Sequence, residues 1–140
     1  KQLKNISKEL DLTCANLQFT KDSSRVDVIN KIELSDLLVL PNISEEGWGV
    51  VVNEALLLGT PVICSQYTGA QVIIDSNSQG KVIHLPNQKE FIDAVISMKN
   101  YDRELIKQEA QKRLLPSVIV PYLINIIEGN TNSFSPWFKK

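Results

Sequence analysis

The sequence predicts an α/β domain built on a parallel sheet with helices on both faces. Short apolar strand candidates alternate with amphipathic helical segments, and no hairpin turn signal separates two successive strands. Residues 36–40 end in an unbroken apolar run without alternation, which is typical of a central parallel strand that is buried on both faces. In such sheets ligands bind beyond the carboxyl ends of the strands, so the loops at 41–46 and 65–69, which each follow a predicted strand, are expected on the same rim.

Each element follows from residue spacing and from turn residues. Apolar residues three or four positions apart predict helices, as for Val26, Ile29 and Ile32, and short apolar runs between polar loops predict strands. Pro116 breaks the chain before the last helix, which tolerates Pro121 only in its first turns. The predicted elements are a helix at 2–10, a strand at 17–20, a helix at 26–34, a strand at 36–40, a helix at 50–58, a strand at 62–64, a helical turn at 71–75, a strand at 81–84, and helices at 88–98, 103–114 and 117–127.

Composition bounds the class of protein. A chain of 140 residues suits one domain with a hydrophobic core, and a formal net charge of −1 offers no electrostatic basis for binding nucleic acid. No apolar run approaches the roughly 20 residues of a membrane span. Cys14 and Cys64 lack any metal or redox spacing, so two buried or incidental thiols in a reducing compartment are expected.

The segment around residues 46–59 carries the chemistry. Glu46 and Glu54 lie eight positions apart, with Gly47 and Gly49 just after the first carboxylate and Gly59 where a helix-ending glycine is expected. The two glycines predict a turn with unusual backbone angles that lets a ligand approach the main chain. The helix that follows presents unpaired N–H groups able to hold a phosphate or a hydroxyl, and ionised carboxylates accept hydrogen bonds from sugar hydroxyls.

The whole string resembles the E-x7-E signature of retaining glycosyltransferases with the GT-B fold, family 4 type. The resemblance rests on an apolar strand, Pro41, the Glu-Gly-Trp-Gly turn, Glu54-Ala55 and the run Gly59-Thr60-Pro61-Val62-Ile63. It covers roughly residues 10–128 and is specific at 36–70. Two positions depart from the family pattern: Ser65 stands where Asp is common, and Trp48 stands where Phe is frequent.

The resemblance implies a role for each residue of the signature. Glu46 is the catalytic candidate, contacting hydroxyls of the donor sugar, and the N–H groups of Gly47, Trp48 and Gly49 face the sugar and the diphosphate. Val50 packs near the nucleotide. Glu54 accepts hydrogen bonds from both ribose hydroxyls. The loop residues that can line the base or ribose side are Pro41, Asn42 and Ser44.

The resemblance also implies how this chain relates to a complete enzyme and which donor that enzyme uses. Residues 1–128 correspond to a Rossmann-like donor-binding domain without its first strand, the C-terminal half of a GT-B enzyme, and residues 129–140 form a tail in which Trp137 and Phe138 can dock. The donor is a nucleotide-diphosphate sugar, a UDP-sugar by default, and no cofactor or metal is expected. No residue matches the basic pair that neutralises the diphosphate in the family, so the chain is expected to be a fragment that is inactive alone.

In the intact enzyme, an N-terminal half is expected to bind the acceptor, and synthesis of cell-surface polysaccharide or glycoconjugate in the cytoplasm is the implied setting. The resemblance allows peripheral membrane association and oligomerisation through an exposed interdomain face. A non-catalytic α/β module that binds a phosphate or nucleotide is the alternative function, and an epimerase or phosphorylase of GT-B shape is a further one. Two features have structural interpretations: His84 as a strand residue, and Lys107, Lys112 and Arg113 as a solvated helix face.

Overall fold

The computed structural model describes residues 18, 20–21, 23–74, 79–130 and 135–136, without the side chain of residue 99. The elements in these ranges are α1 (Arg25–Leu34), β1 (Leu38–Leu40), α2 (Val50–Leu57), β2 (Val62–Ser65), a first 3₁₀ helix (Gly69–Ile73), β3 (Gly80–Ile83), α3 (Gln88–Ser97), a second 3₁₀ helix (Met98–Asn100), α4 (Arg103–Leu114) and α5 (Pro116–Ile127). The helix predicted at 2–10 lies outside the described residues, as do Cys14, Trp137 and Phe138. So does the strand predicted at 17–20, apart from residues 18 and 20, which belong to no strand.

The three strands form one parallel sheet in the order β1, β2, β3. The register places Leu38 beside Val62, and Val62 beside Gly80. All three strands therefore end at the same edge of the sheet, which is the arrangement that the sequence predicts. The predicted fold class, an α/β domain on a parallel sheet, is confirmed.

Helices cover both faces of β2, whose four residues are all buried. Because successive strand residues point to opposite faces, Val62 and Cys64 join one core cluster and Ile63 joins the other. The first cluster contains buried residues of α1, α2, the first 3₁₀ helix and α4: Ile32, Val52, Ala55, Leu56, Ala70, Ile73, Ile106, Ala110 and Leu114. The second cluster contains Ile83, Ala94 and Met98, so α3 and the second 3₁₀ helix cover that face.

The prediction that residues 36–40 form the central buried strand is wrong for the described sheet. β1 is shorter, and its three residues are only half-buried. The physical reason is its place in the sheet, because among the described residues β1 pairs with β2 alone. The strand that is buried throughout is β2, for which the sequence shows only a short apolar run.

The helix ends follow their capping residues. Ser24 forms a capping box with Asp27 at the start of α1. The helix begins at Arg25, one residue earlier than predicted. Asn87 and Asp102 accept backbone N–H groups at the starts of α3 and α4, and α4 has the predicted bounds. Gly59 follows α2 with a φ of +80°, which confirms its prediction as the helix-ending glycine.

α5 begins at Pro116, because a proline at the first helical position lacks only an N–H that would have no partner in the helix. Pro121 lies in the second turn, in agreement with the prediction. No residue of α5 is fully buried, although the helix contains no charged residue. Val120, Leu123 and Ile127 are among its exposed apolar side chains.

The interpretation of Lys107, Lys112 and Arg113 as a solvated helix face is wrong for Arg113. Its Nε donates to the carbonyl oxygen of Pro136 at 2.9 Å, and its Nη1 donates to that of Ile73 at 3.2 Å. The half-buried guanidinium thus connects α4 to the first 3₁₀ helix and to the chain beyond α5. Lys112 does lie at the surface, where it pairs with Glu109 at 2.6 Å.

The helices in the part of the chain that the structure describes are too short, or too polar, to cross a membrane.

We expect the Cys64 thiol to be unreactive in the folded chain. Burial raises its pKa to about 11, and the thiolate is the reactive form. In a Cys14→Ser variant at neutral pH, a thiol reagent should modify the native chain about two orders of magnitude more slowly than the urea-unfolded chain. Equal rates in the two states would contradict the buried position of this residue in β2.

Candidate donor-binding site

Three loops follow the carboxyl ends of the strands and meet at one edge of the sheet. They comprise residues 41–49 after β1, 66–68 after β2 and 84–87 after β3. The sequence predicts the first two on one rim, and the parallel register brings them together. The third loop was not predicted as part of this edge, although the same rule, applied to the strand predicted at 81–84, would have included it.

The turn that carries Glu46 is held by backbone pairing with the loop after β2. Glu46 N–H donates to Tyr67 O at 3.1 Å, and a parallel bridge joins Glu46 to Thr68. Further along, Gly69 N–H donates to Gly47 O at 3.0 Å and Ala70 N–H donates to Trp48 O at 2.7 Å. Residues 46–48 thus run beside residues 67–70 as a short extension of the sheet.

Gly49 is the N-cap of α2 and has a φ of +79° in the left-handed region. A Cβ atom at this position would lie 2.8 Å from the Thr68 side chain and 3.3 Å from that of Leu40, so both backbone angle and space require glycine. No side chain caps α2, so its first N–H groups have no side-chain partner at this end. The helix N-terminus therefore presents N–H donors beside Glu46.

Gly47 is different. Its φ is not positive, so the predicted unusual backbone angle is wrong at this residue. A Cβ atom added to Gly47 would meet no described protein atom within 4 Å. The structure thus leaves open space beside this part of the main chain, which fits the expectation that a ligand approaches it closely.

Glu46 is exposed and lines a cleft of about 500 Å³ formed by residues 41–46. Pro41, Asn42 and Ser44, the residues expected on the base or ribose side, line the same cleft. The Asn42 amide also donates to the buried Thr68 hydroxyl at 3.2 Å, which ties the cleft to the loop after β2.

Trp48 and Val50 lie at the surface next to the signature turn. The indole Nε1 of Trp48 donates to Asn53 Oδ1 at 2.8 Å, so the ring is held against the first turn of α2. Trp48 is 36% exposed and Val50 is 59% exposed. Both side chains thus keep apolar surface that an incoming ligand can cover.

Glu54 lies in the middle of α2, and its side chain is 22% exposed. Its Oε1 accepts a hydrogen bond at 2.9 Å from Nη2 of Arg25, the first residue of α1. Sequence reasoning did not find Arg25. The two residues are 29 positions apart, and no local pattern signals their contact.

The third loop is attached to the second by a two-point contact. The Gln66 side chain accepts from Leu85 N–H at 3.0 Å and donates to Leu85 O at 3.3 Å. His84 follows β3 directly, so its prediction as a strand residue is displaced by one position. Its Nδ1 lies 3.0 Å from Glu90 Oε1, and hydrogen bonds from His84 lower the pKa of that carboxyl.

Within the described ranges, no three or more His, Cys, Asp or Glu side chains are grouped so that they could hold a metal ion.

Gly69, directly after the loop at 66–68, lies close against the signature turn. A Cβ there would lie 2.8 Å from Gly47 O and 3.2 Å from Trp48 Cα, so Gly69→Ala must displace the signature turn. We expect a loss of about 1–3 kcal/mol in the free energy of unfolding, measured with urea. Gly47→Ala, which meets open space, should stay within about 0.5 kcal/mol of the wild type. Similar losses in both variants would contradict this packing.

Comparison with known proteins agrees with this geometry. Residues 1–113 match the family model described as glycosyl transferases group 1. The chain is also 30% identical, over 93 residues, to the D-inositol 3-phosphate glycosyltransferases of two strains of Mycobacterium leprae, Br4923 and TN. That match covers 66% of this chain and 21% of each mycobacterial protein, so the chain spans about a fifth of the relatives it matches. With most of its length matched by the family model, the chain belongs to the glycosyl transferases of group 1.

Proposed function

We propose that this chain is the donor-binding part of a retaining glycosyltransferase that takes a sugar from a nucleotide-diphosphate sugar. One observation carries the proposal. In a chain of this family, Glu46 and Glu54 flank a glycine turn whose Gly47 face is open and whose helix N-terminus has no side-chain cap. Main-chain donors and the Glu46 carboxylate thus lie together after β1, at the edge of the sheet where ligands bind, and Glu54 follows within α2.

Each group has a suitable partner in such a donor. Backbone N–H groups at the start of α2 suit the diphosphate oxygens, because helix N-termini carry partial positive charge. Glu46, exposed in the cleft, suits the sugar hydroxyls, and Glu54, within α2, suits the ribose hydroxyls. Val50 and Trp48 offer apolar surface to the nucleotide and the sugar.

The chemistry of transfer needs more than these groups supply. When the bond between the anomeric carbon and the diphosphate oxygen breaks, its electron pair stays with the departing nucleoside diphosphate, and stabilising that negative charge is the main electrostatic task of the enzyme. The signature contributes main-chain donors to this task. The basic pair and the acceptor site are assigned to the other parts of the enzyme, so transfer by this chain alone is not expected. We take a UDP-sugar as the default donor.

The biological setting follows from the same proposal. Assembly of a cell-surface polysaccharide or glycoconjugate on the cytoplasmic side is the role we infer, with peripheral membrane association and oligomerisation left to the intact enzyme. The alternative is a non-catalytic module that binds a phosphate or nucleotide. The two differ in whether the sugar of the donor adds to binding through Glu46.

We expect Glu54→Ala to weaken binding of UDP and of UDP-sugars alike, by about 10- to 100-fold, because it removes hydrogen bonds from the ribose to a charged acceptor. Glu46→Ala should weaken UDP-sugars and leave UDP nearly unchanged. Isothermal titration of the full-length protein with UDP, GDP, ADP and their common sugars measures both effects and selects the base.

Glu109→Ala is the matched control for Glu54→Ala. Glu109 is also a helical, ion-paired glutamate, with a side chain 30% exposed, but it belongs to α4 and not to the signature segment at 46–54. It should bind every nucleotide as the wild type does. Equal affinities for UDP-sugar in the wild type, Glu46→Ala and Glu54→Ala would overturn the assignment of roles, and loss with Glu54→Ala alone would favour the non-catalytic module.

Gly47→Ala tests the open face of the turn. The new methyl group meets no described protein atom, so the melting temperature should not change. If donor atoms occupy that space, the affinity for UDP-sugar should fall by about tenfold or more, because overpacking typically costs about 1–3 kcal/mol. Unchanged affinity with unchanged stability would mean that the donor lies elsewhere.

A further inference from the structure

Arg25 lies over the carboxylate that the proposed function assigns to the ribose. Its Nη2 is 2.9 Å from Glu54 Oε1, and the two side chains are 83% and 22% exposed. The guanidinium is thus on the solvent side and the carboxylate is partly sheltered. Arg25 is the first residue of α1, whose start is held by the Ser24 capping box, so its main chain is well anchored.

The contact leaves half of the carboxylate free. Among the described residues, Oε1 of Glu54 has a hydrogen-bond partner and Oε2 has none. An ionised carboxylate offers about four lone-pair sites on its two oxygens. Oε2 can therefore accept a ribose hydroxyl while Oε1 keeps its bond to the guanidinium.

The Arg25–Glu54 ion pair is expected to contribute little to the free energy of folding. Ion pairs in which one partner is mostly exposed contribute little, because water screens them and two long side chains lose conformational freedom. Their effect on geometry is different. A glutamate on a helix surface samples several rotamers, and a charge-assisted hydrogen bond selects the rotamers in which one oxygen faces the arginine.

We propose that Arg25 is a positioning residue for the nucleoside ribose. It holds Glu54 in the rotamer that presents Oε2 to the ribose diol, so the ribose does not have to order the carboxylate when it binds. This inference rests on the proposed function, because Arg25 contacts the carboxylate that the proposed function assigns to the ribose. Arg25 acts through Glu54 and not through the phosphates.

The test compares UDP with 2′,3′-dideoxy-UDP, which keeps the base and both phosphates but lacks the hydroxyls. In the full-length protein, Arg25→Ala should lower the affinity for UDP by about five- to tenfold, because it removes the charge-assisted hydrogen bond that orders the Glu54 carboxylate. It should leave the dideoxy nucleotide unchanged. In a Glu54→Ala background, Arg25→Ala should cause no further loss, because the two residues then form one unit.

Two controls separate positioning from folding and from charge. Lys112→Ala removes an ion-paired cation, 66% exposed, from Glu109 and should not change either affinity. Arg25→Lys keeps the charge but loses the planar guanidinium. It should therefore retain the fold and bind UDP more tightly than Arg25→Ala but more weakly than the wild type. Melting temperatures of all variants show whether a loss of binding reflects unfolding.

Each other outcome overturns the inference in a distinct way. Equal losses for UDP and its dideoxy analogue would mean that Arg25 contacts the phosphates directly. Loss with Glu54→Ala but none with Arg25→Ala or Arg25→Lys would make the ion pair purely structural and would leave the proposed function standing. Absence of binding to any nucleotide by the wild type would overturn both proposals.

Discussion

The backbone pairing between residues 46–48 and 67–70 is the interaction on which the rest of the site depends. These few hydrogen bonds extend the sheet beyond the ends of β1 and β2. They fix the position of the turn that carries Glu46 relative to the ends of the strands. Because Gly49 follows this turn directly, they also fix the start of α2. The close approach at Gly69 permits this arrangement, since a side chain there would lie against the Gly47 carbonyl.

Buried side chains of β2 and of the loop after it pack beneath the same turn and hold it in place. β2 contributes residues to the cores on both faces of the sheet. The loop after β2 carries Thr68, whose hydroxyl accepts a hydrogen bond from the Asn42 side-chain amide. Gln66 then extends the support to the third loop through Leu85. The exposed carboxylate and the open face of Gly47 are thus placed by buried neighbours, which favours a site whose geometry exists before a ligand arrives.

Much of this could be predicted from the sequence because the signals are local. Helix α4 has the predicted bounds since Asp102 and the apolar spacing mark it, and Gly59 ends α2 as its position indicates. The signature turn and its neighbouring loop were placed on one edge by the rule for parallel strands. The contacts that were missed join distant parts of the chain. Arg25 reaches Glu54 only because α1 packs beside α2, and no spacing rule describes that approach.

The errors have the same origin. β1 was expected at the centre of the sheet because its apolar run is the strongest, yet burial depends on which strands lie on either side. Gly47 and Gly49 look equivalent in sequence, but only Gly49 requires a left-handed backbone. Gly49 is required by its backbone angle, whereas Gly47 leaves open space beside the main chain, and the motif alone does not distinguish these two situations.

Arg113 has a consequence for how the protein is handled. Its guanidinium binds the carbonyl of Ile73, at the end of the 3₁₀ helix that pairs with the signature turn, and also the carbonyl of Pro136. Cutting the chain after α5 removes one of these two acceptors and leaves the partly buried cation to find another. The C-terminal boundary chosen for expression therefore affects, through Arg113, the 3₁₀ helix that pairs with the signature turn. Chains that keep residue 136 are the better starting point for ligand studies.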